Sequence, residues 1–302
     1  MLRFNGGAFR SPLPGRGKGS RTNGWRCSTT SDASSDPPTY TSPDGVLRKC
    51  YSYSRTQATV AGLEFVDDKA CREYLEARVA PRVFESEATA ALAGFVEELG
   101  GTGFDLEGLR EQVESPPPPK DWEVGEVVAE VLLEDHFEAE FPWATTLDKR
   151  TPSASLQGPD IAGFHGGSAF VFGEVKSSSD KTNVPPSVVT LKNDGLLDQL
   201  LRLLQNPMAR QQLIGWLLVR SRGTEWESTF GAAAARYFGA DVPAARIYGV
   251  LVSGGREAEE RDLVDACDEI DALVGAFSVD LVAIYLPLAK SDWVAVVQGA
   301  AR

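Results

Sequence analysis

Histidine is nearly missing from this 302-residue chain, in which only His136 and His165 occur. That scarcity excludes histidine-based zinc hydrolases, HNH-type nucleases and His-rich metal cages, none of which would find its ligands here. A Ser-His-Asp hydrolase would need one of the two as its base, and no GxSxG elbow is present. Both histidines are therefore expected on the surface or in loops. Cysteine is equally thin: Cys27, Cys50, Cys71 and Cys267 lie far apart and form no CxxC pair, which argues against a zinc ribbon or a dense disulfide framework. A reducing cytosol suits such a chain. No segment approaches the roughly 20 apolar residues of a membrane span, so a soluble protein is expected. "GRGKGS" (residues 15–20) lacks the GxxxxGK[ST] spacing of a phosphate loop and follows no strand pattern. No nucleotide-hydrolysing motor is expected.

Acids are missing from the start of the chain. The first 31 residues carry six Lys/Arg (Arg3, Arg10, Arg16, Lys18, Arg21 and Arg26) and no Asp or Glu, although the whole chain has a net charge of −13. The rest is strongly acidic, so any binding to nucleic acid must be local rather than through the bulk field. Residues 1–45 are rich in Gly, Ser, Pro and Thr. With few large apolar groups they cannot offset the entropy of ordering, and a disordered basic tail is expected. A transit peptide, a non-specific nucleic-acid arm and an overextended start all fit that composition.

What is present is an ordinary globular composition, 42% hydrophobic and 24% charged, enough for one large domain or two small ones. Residues 46–114 combine a strand-like "ATVAGLEFV" with helical patterns at 68–79, 84–99 and 105–114, and are expected to form a small α-rich N-terminal region. "SPPPPK" (115–120) favours extended backbone and excludes helix before it, so 115–121 is expected as a linker and 122–302 as a second domain. That part opens with "DWEVGEVVAEVLLEDHF", in which Val124, Val127, Val128, Val131 and Leu132 form one apolar helical stripe. Two apolar segments then flank Gly166-Gly167 and predict a hairpin. "DGLLDQLLRLL" and "ARQQLIGWLLVRS" predict helices, and "ARIYGVLVSG" and "VDLVAIYLPL" predict buried strands around a charged helix. The expected fold class is α/β, a mixed central sheet flanked by helices.

The chemistry concentrates in this second part. On an extended strand, residues two apart share a face, so Glu174 and Lys176 of "FGEVKSSSD" project together. A turn near Gly166-Gly167 can bring Asp160 beside Glu174 from the neighbouring strand. Paired carboxylates suit Mg²⁺ or Mn²⁺, which accept substrate phosphate oxygens as further ligands. Asp160 and Glu174 would hold the ion, Lys176 would sit beside the attacking water, and Glu126 would complete an acidic pocket from the helix. Acid-x-lysine alone arises by chance on the order of once or twice in a chain of this size, and Asp67-Asp68-Lys69 has the same spacing. That second occurrence follows no helical glutamate, and its preceding Pro43-Asp44 lies at the edge of the tail.

"GEVVAEVLL", "GPDIAGF" and "FGEVKSS" together resemble the PD-(D/E)xK nuclease superfamily. The resemblance covers about residues 122–220 and implies a restriction-endonuclease-like αβ core that cleaves phosphodiesters with Mg²⁺ (or Mn²⁺). It implies that Asp160, Glu174 and Lys176 are the metal-binding acids and the lysine, and that Glu126, preceded by Gly125, is the helix glutamate in preference to Glu130, which lines up with Glu123 and Glu134 as a solvated stripe. Gln199 matches a glutamine that several branches carry near the site. The implied substrate is DNA, with RNA as the alternative, and the implied role is bacterial restriction or antiviral defence. In size and layout the chain is also similar to nuclease subunits that pair with a separate helicase or ATPase, as in the Hachiman type. A homodimer is compatible with the family, and so is a non-catalytic binding or assembly subunit that keeps the fold. Lys176, Lys181, Lys192, Arg202, Arg210, Arg220 and Arg222 offer local positive charge for phosphates. Trp122, Trp143, Trp216, Trp226 and Trp293 are expected as packing residues rather than base-stacking platforms.

Overall fold

In a computed structural model of the protein, which describes residues 40–41, 45–84, 86–99, 107, 118–143, 159–239, 243–273 and 275–300, the described residues belong to the compact unit Pro37–Arg302. Its strands are β1 (Tyr40–Thr41), β2 (Leu47–Ser54), β3 (Ala58–Phe65), β4 (Ala139–Glu140), β5 (Ile161–His165), β6 (Ala169–Ser178), β7 (Ala245–Gly254) and β8 (Ser278–Leu286). They form one mixed sheet in the order β1-β2-β3-β8-β7-β6-β5-β4. Strands β6, β7, β8 and β3 run parallel, while β5 and β2 are antiparallel to their neighbours. The expected α/β class with a mixed sheet flanked by helices is therefore present.

The centre of the sheet is apolar because it is covered on both sides, as parallel strands require. Along β6, Val171 and Val175 belong to one core, and Phe170 and Phe172 to the other. The first face is covered by helix α1 (Asp68–Tyr74), which passes through a π-helical turn (Leu75–Val79) into α2 (Ala80–Val83). The wide turn precedes Pro81, whose ring would otherwise meet the carbonyl four residues back. Helix α3 (Ser86–Leu99) follows. Also on this face lie α4 (Asp121–Phe137) and the C-terminal α10 (Trp293–Ala300), with Trp293 fully buried.

Helix α4 begins where Glu123 accepts from the Lys120 N–H at 2.7 Å. It ends at Glu138, in the left-handed region at φ 55°. The predicted stripe is buried, but so are all ten residues 124–133, Glu126 and Glu130 included, because α4 lies between the sheet and other helices rather than at the surface.

The second face carries α5 (Ser187–Thr190), α6 (Leu196–Gln205), α7 (Pro207–Ser221), α8 (Glu227–Phe238) and α9 (Arg261–Asp271). Leu200, Leu203 and Leu217 meet Phe170 and Phe172 there. Trp143, Trp216 and Trp226 form an edge-to-face group, with Trp226 stacked on Phe164. They are packing residues as expected, whereas Trp122 is exposed under Lys120.

The stretch 46–114 departs from the expected separate α-rich region. Its two strands extend the same sheet, β3 pairing with β8 from Ala58↔Val279 to Glu64↔Tyr285. A partner more than 200 residues away is not encoded in local periodicity. The tail predicted at 1–45 lies outside the described residues, apart from Gly45 and β1, which pairs with β2. The linker expected at 115–121 is described only from Pro118 onward, and of the helix pattern at 105–114 only Glu107 is described.

Candidate active site

The hairpin that carries the acids turns on Gly166 and Gly167, both at positive φ (53° and 65°), a backbone state that glycine adopts without steric cost. Register then does the rest. Ile161 pairs with Gly173, so one further residue sets Asp160 level with Glu174. The Asp160 carboxylate accepts from the Val175 N–H at 3.0 Å, tying it to the strand beside Glu174.

Glu174 and Lys176 alternate with Val175 and so project toward the second face, under α6. Glu174 pairs with Gly249 of β7. A Cβ at Gly249 would lie 2.5 Å from Leu200 Cδ1 and 2.6 Å from Leu281 Cδ2. Glycine thus lets α6 press onto the strand at the level of Glu174, which is 6% exposed.

Helix α6 is preceded by the turn 192–195. Here Asp194 approaches Lys176, with Lys176 Nζ 3.7 Å from Asp194 Oδ1. Gln199 donates from Nε2 to the same Oδ1 at 3.0 Å, while its buried Oε1 has no hydrogen-bond partner. Gln199 is therefore bound to Asp194 rather than freely exposed. Asp194 was not singled out from the sequence, although Asn-Asp-Gly before a helix is a strong turn signal.

Glu126 enters from the other layer. Gly125 packs so tightly on β6 that a Cβ there would lie 2.0 Å from Ser177 Oγ. The start of α4 therefore meets the C-terminal end of β6, but on the face opposite Glu174 and Lys176. The structure brings Asp160, Glu174, Lys176 and Gln199 together around β6 and holds Glu126 across the sheet from them. Glu130 is not part of a solvated stripe: it is 1% exposed and pairs with Arg82 Nε at 3.1 Å. Glu134 shares that arginine at 2.9 Å, and Glu123 caps the helix. Among the described residues, no three His, Cys, Asp or Glu side chains form a group that could hold a metal ion.

The loop leaving the site is ordered by its own polar groups. Asp180 accepts from Asn183 Nδ2 at 2.6 Å and from the Thr182 and Asn183 backbone N–H groups. The Asn183 side-chain amide, then those N–H groups, hold its carboxyl well below the usual range. Arg256 donates to Asp180 O (3.3 Å) and Asn183 O (3.1 Å), and Lys290 donates to Ser177 O at 3.3 Å.

Several expected contacts are occupied structurally. Arg210 is buried and caps the carbonyls of Leu203 and Leu204 at the end of α6, and Arg202 donates to Asn193 O at 2.7 Å. Asp67, of the second acid-x-lysine occurrence, is the N-cap of α1, accepting from Ala70 N at 2.7 Å. His136 and His165 are half-buried rather than on the surface. His165 Nε2 lies 2.7 Å from Arg246 Nη1, and burial, then the Arg246 charge, hold its pKa down.

No helix among the described residues is long and apolar enough to cross a membrane. Comparison with protein-family models and with curated proteins found no match to this chain.

Proposed function

We propose that the protein is a divalent-metal-dependent nuclease of the PD-(D/E)xK type with a restriction-endonuclease-like core, cleaving DNA phosphodiesters in bacterial defence or restriction. The observation that carries this is the arrangement on β6: Glu174 and Lys176 on one face, with the Asp160 carboxylate held by Val175 N–H at 3.0 Å from the preceding strand. The C-terminal half of a parallel strand, beside a helix start, is also where open α/β sheets bind ligands.

The donor chemistry fits Mg²⁺ or Mn²⁺. Asp160 and Glu174 offer hard carboxylate oxygens, and Mg²⁺ commonly takes only one or two carboxylates and keeps several waters. When bound, such an ion supplies Lewis-acid polarisation of a phosphoryl oxygen. Asp160 and Glu174 are the residues to hold it. Lys176, a compact cation with three donors, is placed to orient a water or to balance charge developing on the phosphate. Glu126, in the opposite layer, is assigned the acidic wall at the end of β6. A separate helicase or ATPase subunit fits a chain in which no motor motif occurs.

The test is incubation with single-stranded, duplex and supercoiled DNA and with RNA, in Mg²⁺, Mn²⁺ or EDTA. Metal-dependent cutting that Lys176→Ala lowers by about 10²-fold or more, with unchanged melting, is the expected result. Binding without cutting by the wild type would instead point to the non-catalytic binding subunit.

A further inference from the structure

Asp194 is 73% exposed at its side chain, yet the turn that carries it is tightly built. Asn193 stands in the left-handed region at φ 72°. Its N–H donates to Asp198 Oδ2 at 2.6 Å, and its carbonyl accepts from Arg202 Nη2 at 2.7 Å. Gly195 N donates to Leu191 O at 2.7 Å, and a Cβ at Gly195 would lie 2.5 Å from that same oxygen. Gln199 completes the set by donating to Asp194 Oδ1 at 3.0 Å. Asp198, Gln199 and Arg202 of α6 therefore all hold one surface turn. A lone exposed ion pair contributes little to stability, so the Lys176–Asp194 contact is not accounted for by the fold alone, whereas the turn that presents Asp194 is ordered by its own hydrogen bonds. The consequence is that a carboxylate is fixed 3.7 Å from Lys176 Nζ.

On the premise of the nuclease function proposed above, we infer that Asp194, tethered by Gln199, is the positioning residue for Lys176. A lysine has four rotatable side-chain bonds, and an ammonium group must lie within about half an ångström of its productive place to act on a developing charge. Asp194 confines it. Gln199 acts through Asp194, to which its side-chain amide donates. Because Asp194 is itself an anion near the path of a phosphodiester, it opposes substrate binding while aiding the chemical step.

The two effects separate in measurement. Asp194→Ala and Asp194→Asn are compared with wild type for kcat at saturating duplex in Mg²⁺, for binding of the same duplex in EDTA, and for melting temperature. The expected result is a kcat lower by roughly tenfold to a hundredfold, with duplex bound at least as tightly and melting unchanged. Gln199→Ala lowers kcat in the same direction, and the double variant loses no more than the Asp194 variant alone. A kcat within twofold of wild type, or a loss of rate matched by a loss of binding or of stability, overturns the assignment. Lys176→Ala run in parallel distinguishes the two levels. If it abolishes cutting while the Asp194 variants cut normally, only the positioning role falls. If wild type never cuts, or Lys176→Ala cuts as well as wild type, the nuclease function falls and the positioning role with it.

Discussion

Two glutamates four residues apart on α4 have different surroundings. Glu130 is 1% exposed and bound to Arg82, which also reaches Glu134 and Phe141 O. Its role is to hold α2 against α4. Glu130→Gln is expected to lower stability by about 1.5–3 kcal/mol, the range for a hydrogen bond to a charged group, with no change in cutting by the folded fraction. Glu126→Gln is expected to slow cutting. Chemical denaturation and a cleavage assay on the two variants check both statements, and equal behaviour would remove the distinction between them. From sequence the two were separable only by helical face. That criterion misjudged Glu130, because the arginine that accompanies it inside lies 48 residues upstream.

At the scale of elements, polar clamps join pieces that periodicity alone leaves apart. Arg256 and Asp262 form a buried pair at 3.1 Å, with side chains 7% and 0% exposed. Tyr285 donates to Asp262 Oδ2 at 2.9 Å and stands 2.8 Å from the Tyr51 hydroxyl. With its proton directed to Asp262, Tyr285 accepts from Tyr51. This chain links β2, β8 and α9 to the loop after Lys176, whose carbonyls Arg256 holds.

Arg256→Met leaves the Asp262 charge buried and is expected to cost about 3–5 kcal/mol near neutral pH. Burial raises the Asp262 pKa, so the charged form is disfavoured by folding. That penalty is absent below the unfolded value of about 3.9 and grows as pH rises through the folded one. The deficit of the variant should shrink on acidification in urea titrations.

Asp271 behaves oppositely. It accepts from the backbone N–H groups of Gln57 (2.7 Å) and Ala58 (3.0 Å), and the Gln57 N–H is the main cause of its lowered pKa. Its stabilisation is present above about 3.9 and lost as pH falls through the folded value. Asp271→Asn should therefore be less stable than wild type at neutral pH and converge with it in acid.

Elements with strong local patterns were legible. Helix α4 and strand β7 match their predicted spans, and the hairpin turns at Gly166-Gly167. Strand β2, "LRKCYSYS", went unread because it is half-exposed and polar. Helix α8 also went unread: its Ala-rich face buries only Ala233 and carries no clear stripe.

For the whole molecule, acidic charge and the proposed phosphodiester substrate are reconciled by place. The candidate residues sit at one end of the parallel strands, where Lys176, Lys181, Arg256 and Lys290 cluster around the β6 exit. Two of the seven cations counted from sequence, Arg202 and Arg210, are spent on carbonyls. Paired acids and a lysine on adjacent strands were legible from alternation and the glycine turn. The placement of Glu126 across the sheet was not, because the face on which a helix packs depends on the whole topology. The measurement that bears most directly on the nuclease function is cleavage of supercoiled and linear DNA by purified wild type and Lys176→Ala, each in Mg²⁺, Mn²⁺ and EDTA. Metal-dependent cutting by wild type, lost in EDTA and in the folded Lys176→Ala variant, is predicted. Undiminished cutting by Lys176→Ala, or by wild type in EDTA, would contradict it.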